Sequence, residues 1–196
     1  MTIGLTGGVA TGKSTVHHIL AERSALETFD ADVCVHRLLE SNERVGVAVR
    51  HEFGNTSLRA DGRPDRTALR NLVFRDPVAR RKLENILHPL VRAEWSARLE
   101  EYRGKNTHFL ADIPLLYETG AGSSFDAVVV VACSKETQLD RLRDRGMEAD
   151  TAEAMLASQL PIGQKVARAN FVIWNDGSLV ALGRQIKLVA NQLFHD

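Results

Sequence analysis

Residues 4–16 read GLTGGVATGKSTV, and Gly7, Gly12, Lys13 and Ser14 fall on the phosphate-loop pattern G-x-x-x-x-G-K-[ST]. The apolar lead-in Ile3-Gly4-Leu5 reads as a buried strand. Thr15 and Val16 open a run that Ile19 and Leu20 continue at helical spacing. A loop between a strand and a helix turns successive backbone N–H groups toward an anion, with the helix N-terminus behind them. Gly8, Val9, Ala10, Thr11 and Gly12 are therefore expected to wrap a nucleotide's phosphates, with Lys13, Ser14 and Thr15 at the mouth of the helix. Lys13 would bridge the β- and γ-phosphates and the Ser14 hydroxyl would ligate Mg²⁺. The stretch says that a nucleoside triphosphate is held. It leaves open whether the terminal phosphate goes to water or to a hydroxyl.

Composition narrows the class. The chain has 196 residues, a length that suits one α/β domain with inserted subdomains. Its 25 basic residues balance 25 acidic ones, so there is no electrostatic footprint for nucleic acid or an anionic membrane. No apolar run is long enough to span a bilayer, and the phosphate loop begins where a signal peptide would lie. Cys34 and Cys133 are far apart and lack metal-ligand spacing, which points to free thiols in a reducing cytoplasm. The seven scattered histidines form no zinc-binding pattern.

Three later segments read as strands buried on both faces: residues 107–112 (THFLAD), 126–132 (DAVVVVA) and 170–174 (NFVIW). Residues 27–30 are a weaker fourth candidate. Strands alternating with helical sequence imply a doubly wound sheet with ligands at the carboxyl ends of its strands. Between Asp32 and Lys105 the pattern turns helical. Asp76-Pro77 is a helix start, and Pro89 is expected to bend or break that helix near His88. Residues 55–64 read as a loop. A smaller helical excursion covers residues 134–167. The last helix follows Ser178, with Leu182, Ile186, Val189 and Leu193 forming one apolar stripe.

Water is a poor acceptor candidate. A regulatory GTPase needs D-x-x-G and N-K-x-D, and neither occurs; nor does the serine-glycine-glycine signature of an ABC-type ATPase. Asp112 ends its strand but is followed by Ile113-Pro114, with no adjacent glutamate to activate water. Asp30 and Asp32, in Phe29-Asp-Ala-Asp-Val33, offer carboxylates instead. An aspartate can orient an acceptor hydroxyl and take its proton. Which of the two faces the substrate stays open on spacing alone, and either could cap the helix that follows.

With FDAD beside GGVATGKST, the sequence resembles the dephospho-coenzyme A kinase family. The likeness runs through Asp30-Ala-Asp32 with His36, Leu87-His88-Pro89-Leu90-Val91 and Asp112-Ile-Pro-Leu-Leu-Tyr-Glu118. It continues through Gln138-Leu-Asp-Arg-Leu142 with Arg145, then Gln159, then Val172-Ile-Trp-Asn-Asp-Gly177. The resemblance implies transfer of the ATP γ-phosphate to the ribose 3′-hydroxyl of dephospho-coenzyme A, the last step of coenzyme A synthesis. A kinase for another nucleoside or nucleotide, or a nucleotide-dependent switch, is the alternative.

The implied fold is a P-loop nucleotide-kinase-like α/β three-layer arrangement with a mainly parallel sheet. Its core would be discontinuous (about 1–32, 105–140 and 168–196), with a helical acceptor-binding insert at about 33–104 and a lid at about 141–167. The implied catalytic residues are Asp32 as base, Lys13 and Arg141. Arg145 and Asn175 would join the phosphate loop in holding ATP, Asn175 near the adenine. His88, Ile113, Pro114, Leu115 and Glu118 would join Asp32 at the acceptor, and Ser14 would hold Mg²⁺.

Local alternatives stand beside these roles. Arg141 and Arg145 could share a solvated helix face paired to Asp144 or Glu136. His88 could be a polar helix terminus, and residues 175–177 a plain turn. Tyr117 and Trp174 read as packing. Three departures from the family pattern bear on the lid and core rather than the phosphate loop: Met155 where arginine is usual, Asn170 where aspartate is usual, and Ser24-Ala25 in place of a glycine turn.

Overall fold

The six residues Thr2–Gly7 form strand β1 and are all buried, the mark of a strand covered on both faces. The computed structural model describes residues 1–22, 26–105 and 107–194, so Ser24 and Ala25 lie outside the described residues. β1 is followed by α1 (Lys13–Ala21), β2 (Leu26–Asp30), α2 (Ala31–Ser41), α3 (Glu43–Phe53), α4 (Arg66–Arg75) and α5 (Pro77–Tyr102). Then come β3 (His108–Asp112), β4 (Ala127–Ala132), α6 (Lys135–Asp144), α7 (Ala149–Ala157), α8 (Ile162–Val166), β5 (Phe171–Trp174) and α9 (Leu179–Phe194). The sheet runs β2-β3-β1-β4-β5, and β1 pairs in parallel with both β3 and β4, as β4 does with β5. The expected strands are all present, with ends shifted by one or two residues.

The chain divides into two compact units, Met1–Phe29 with Leu99–Asp196, and Asp30–Arg98. In the first, Ile3, Leu5, Val129, Val131 and Ile173 from the sheet pack with Val16 and Leu20 of α1 and with Leu182, Ile186, Val189 and Leu193 of α9. The apolar stripe read at the C-terminus is thus core. Ser178 caps α9, its hydroxyl accepting from the Ala181 N–H at 3.3 Å. Helix α8 packs against β4. Ala10 of the loop after β1 joins Leu142 and Ala152 in a second apolar cluster, with Val9, Leu139, Met147, Met155 and Leu156 against it. Met155 therefore serves packing. Asn170 replaces aspartate without loss: its N–H donates to the Val128 carbonyl at 3.0 Å and its Oδ1 accepts from the Val128 N–H at 2.8 Å.

The second unit is helical, with one isolated bridge between Leu58 and Pro64. Its helices start where capping chemistry dictates. Asp30, Asn42, Asp65 and Asp76 each accept a backbone N–H two or three residues on, opening α2, α3, α4 and α5. Pro89 does not break its helix: α5 runs through it for 26 residues. An interior proline costs about 3 kcal/mol. Burial of Leu87, Val91, Trp95 and Leu99, a stripe at four-residue spacing, offsets that cost. Among the described residues no helix is long and apolar enough to cross a membrane.

Candidate active site

Between Gly7 and Gly12 the backbone carbonyls are all spoken for. The Lys165 ammonium donates to Gly7 O at 3.2 Å, the Thr11 hydroxyl to Gly8 O at 2.9 Å and the Gln138 amide to Val9 O at 2.6 Å. Arg141 donates to Ala10 O at 3.1 Å and the Asn175 amide to Thr11 O at 2.8 Å. Gly12 O accepts from Thr15 and Val16 as α1 begins. With these carbonyls held on donors, the loop does not present them to an anion, which is the condition for an anion-binding concavity. The helix behind it has no side-chain cap and no acid in its first turn, so its positive end stays available.

Two positions fix this shape. Gly12 has φ of 91°, in the left-handed region, and a Cβ there would strike the Asn175 amide. Ala10 adopts φ of 58°, strained for a side-chain-bearing residue and held by its apolar cluster and by Arg141. The Val9 N–H is turned to the Gln159 side chain at 2.9 Å.

Lys13 reaches across to the buried carboxylate of Asp112 at the end of β3, donating to Oδ1. The other oxygen of Asp112 meets His17 Nδ1 at 3.1 Å. Lys13 and His17 are four apart on α1 and share its face. A buried carboxylate needs such partners, since an unpaired one costs several kcal/mol. Ser14 and Thr15 are exposed at the start of α1.

Arg141 lies on α6, and its second nitrogen donates to the Asn175 carbonyl at 2.8 Å. It ties the phosphate loop to the end of β5, so the solvated face paired to acids is not its arrangement. Arg145 is the exposed C-cap of α6. Asn175 is buried and braces Thr11. Trp174, read as packing, is 45% exposed, and its indole N–H donates to Asp176 at 2.8 Å. Partial burial works against ionisation of Asp176, but bonds from Ser134, Thr137 and Trp174 outweigh it and hold the carboxyl below the usual range. Beside Arg141, burial pushes the Cys133 thiol up to about 11, so it stays a neutral thiol.

In the 113–118 segment, Ile113 is buried and its N–H extends the ladder to Leu5 O at 2.9 Å. Pro114 O accepts from the Thr6 hydroxyl at 3.0 Å and from Lys165 at 3.1 Å. Leu115 and Pro114 are half-buried. Glu118 accepts from Lys165 at 2.8 Å and from the Leu160 N–H at 2.9 Å. Tyr117 packs on Gly122, and its hydroxyl donates to Arg168 O at 2.8 Å.

The first unit thus gathers the phosphate loop, Arg141, Asn175 and residues 113–118. Asp32 and His88 belong to the second unit. Asp30 is the cap of α2, accepting from Asp32 N at 2.8 Å and Val33 N at 3.0 Å, and Asp32 is exposed in the first helical turn. His88 is half-buried inside α5 and is not a helix terminus. Sequence reading gave no place to His17 or Lys165, and Gln138 entered only as part of the family likeness. His17 carried a signal in its four-residue spacing from Lys13; a lone lysine in a helical excursion carried none.

Comparisons with known proteins agree with this geometry. A family model described as dephospho-CoA kinase matches residues 1–181. A dephospho-CoA kinase of Anaeromyxobacter dehalogenans is 45% identical over 196 residues, covering 96% of this chain and 90% of its own. A crystal structure of a Thermus thermophilus protein superposes with a TM-score of 0.77 at 32% identity, covering 98% of this chain and 97% of that one. The dephospho-CoA kinase of Campylobacter jejuni gives 0.74 at 27% identity, covering 99% and 97%. An α/β sheet with a phosphate loop after its first strand, matched along most of the chain at this identity, is not a likeness of fold alone: the chain belongs to the dephospho-CoA kinase family.

Proposed function

We propose that this kinase transfers the γ-phosphate of ATP to the ribose 3′-hydroxyl of dephospho-coenzyme A, giving coenzyme A and ADP in the cytoplasm. The bond from the γ-phosphorus to the bridging oxygen of ADP breaks, the ribose oxygen bonds to phosphorus, and the hydroxyl proton is released. The observation that carries the donor half is the phosphate loop, whose carbonyls at residues 7–11 are all held away from the concavity that Lys13 borders. The acceptor follows from the family.

Each residue has a stated task. Lys13 leaves Asp112 to meet the β- and γ-phosphate oxygens as charge moves to the leaving group. Arg141 and Arg145 neutralise charge on the triphosphate, and Asn175 keeps the nucleotide-facing turn in shape. Asp32 accepts the ribose proton. His88, with Ile113, Pro114, Leu115 and Glu118, orients the acceptor. The donor set suits magnesium: Ser14 offers an exposed hydroxyl and Asp112 a carboxylate, hard oxygen ligands of the kind that ion takes. When bound, the ion neutralises charge on the transferring phosphate.

A hydroxyl acceptor is favoured over water because Asp112 is followed by Ile113-Pro114, with no adjacent glutamate to activate water. ADP release measured with no acceptor, with dephospho-coenzyme A, and with adenosine, AMP or other nucleosides tests the reading. The expected result is turnover with dephospho-coenzyme A and a product heavier by one phosphoryl group. Equal turnover without any acceptor overturns it.

A further inference from the structure

Lys165 is wholly enclosed, and the roles above give it no chemistry. A buried ammonium has three donors to satisfy and a charge to balance. Here it meets three oxygens: Gly7 O at 3.2 Å, Pro114 O at 3.1 Å and Glu118 Oε1 at 2.8 Å. These belong to different parts of the site. Gly7 is the last residue of β1 and the first of the phosphate loop. Pro114 and Glu118 belong to the segment after β3. Glu118 also takes the Leu160 N–H at 2.9 Å, while the preceding residue, Gln159, takes the Val9 N–H at 2.9 Å. One ammonium thus joins the root of the nucleotide loop, the 113–118 segment and the link between α7 and α8.

We infer that Lys165 is a positioning residue for phosphoryl transfer: it holds Gly7 and Pro114 at a fixed separation and so aligns the phosphate donor with the acceptor. Its position argues against a part in binding either substrate, because no face of the side chain is open. Its effect is on alignment, where a displacement of about 1 Å can cost on the order of 10²-fold in rate. An ion pair kept only for stability would not need to split its donors between a backbone carbonyl at the end of β1 and one just after β3. The inference rests on residues 113–118 contacting the acceptor. Leu115→Ala, measured alongside, tests that assignment alone, through the KM for dephospho-coenzyme A.

Lys165→Met keeps the stem and removes the three donors. With active sites counted by binding of a non-hydrolysable ATP analogue, kcat is expected to fall about 10–100-fold while both KM values change less than about threefold. Lys165→Met leaves Glu118 without its cation and could fail to fold, so Lys165→Gln, which keeps N–H donors on a shorter stem, is measured as well, with the melting temperature followed in both. In a variant with a parent-like melting temperature, kcat at least tenfold down with both KM values held supports positioning. A parent-like kcat in Lys165→Met, or a fall in kcat matched by an equal loss of affinity for either substrate, overturns it.

Discussion

The phosphate loop and the helices of residues 30–98 are ordered by opposite means. Each helix of that unit starts on a cap two or three residues away, as Asp65 caps α4 through Thr67 and Ala68. The loop is held from far along the chain: Gln138 is 129 residues from Val9, Lys165 is 158 from Gly7, and Asn175 is 164 from Thr11. Local chemistry sets where a helix begins but tolerates small errors in side-chain position. A concavity for phosphate needs carbonyls turned away within a fraction of an ångström, and six residues of loop cannot enforce that alone. Damage to a long-range brace should therefore appear in nucleotide binding or in the alignment of phosphoryl transfer, and damage to a local cap in stability.

The largest expected effect comes from the loop's own cation. Lys13→Met keeps the side-chain stem and removes the charge that meets the leaving group, so kcat should fall about 10³-fold or more. Asp112 loses its ammonium but keeps His17. Circular dichroism should be unchanged. Turnover within tenfold of the parent would falsify the assignment of Lys13.

On the proposed reading, Asp32 is where the locally ordered unit takes part in the chemistry. It stands in the first turn of α2, one residue inside the turn that Asp30 caps. Asp32→Asn should lower kcat about 10²–10³-fold with little change in ATP affinity, the size of effect a general base has. Asp30→Asn should be mild, because asparagine caps as well as aspartate. If Asp30→Asn is the more damaging, the base is Asp30 and its cap role is incidental.

Asn175→Ala tests the long-range brace directly. It frees the Thr11 carbonyl from its donor, and an unsatisfied buried acceptor costs about 1–3 kcal/mol. That penalty should appear as a rise of about tenfold in the ATP dissociation constant, as the loop turns that carbonyl toward the phosphates. Calorimetric titration with a non-hydrolysable analogue measures it. An unchanged affinity would mean that Gly12 and Ala10 hold the loop by themselves.

What sequence reading reached follows the same division. The strands were legible because each is a short apolar run between turn residues, and the discrepancies are one or two residues. Asp126, for instance, stands just before β4, its N–H on the Thr2 carbonyl and its carboxylate holding the N–H and hydroxyl of Thr2. Those bonds also lower its pKa, the backbone N–H most of all. Of the two outcomes local rules give an interior proline, a bend or a break, the break does not occur at Pro89, because the stripe from Leu87 to Leu99 keeps α5 whole. The phosphate loop was legible as a motif, and Arg141 and Asn175 as its companions through the family likeness, but the contacts that brace it were not. Gln138, Arg141, Lys165 and Asn175 meet the loop only through the sheet's β1-β4-β5 order and the helices carried on it. No window of sequence contains that juxtaposition.

The smallest expected effect completes the contrast. Asp65 accepts the N–H of Thr67 at 2.8 Å and of Ala68 at 3.1 Å, and these are donors that the start of α4 would otherwise leave unpaired. Asp65→Ala should cost about 1 kcal/mol, the usual worth of such a cap. In a chain of this length that corresponds to about 2–4 °C in melting temperature. Asp65→Asn should restore nearly all of it, because the amide oxygen accepts the same bonds. Neither change should move kcat or the KM for ATP by more than about twofold, since the phosphate loop takes its support from other elements. Thermal melting followed by steady-state kinetics in both substrates checks the pair. A cap variant that lost ATP affinity while keeping its melting temperature would reverse the division, because a local contact of the helical unit would then be shaping the nucleotide site.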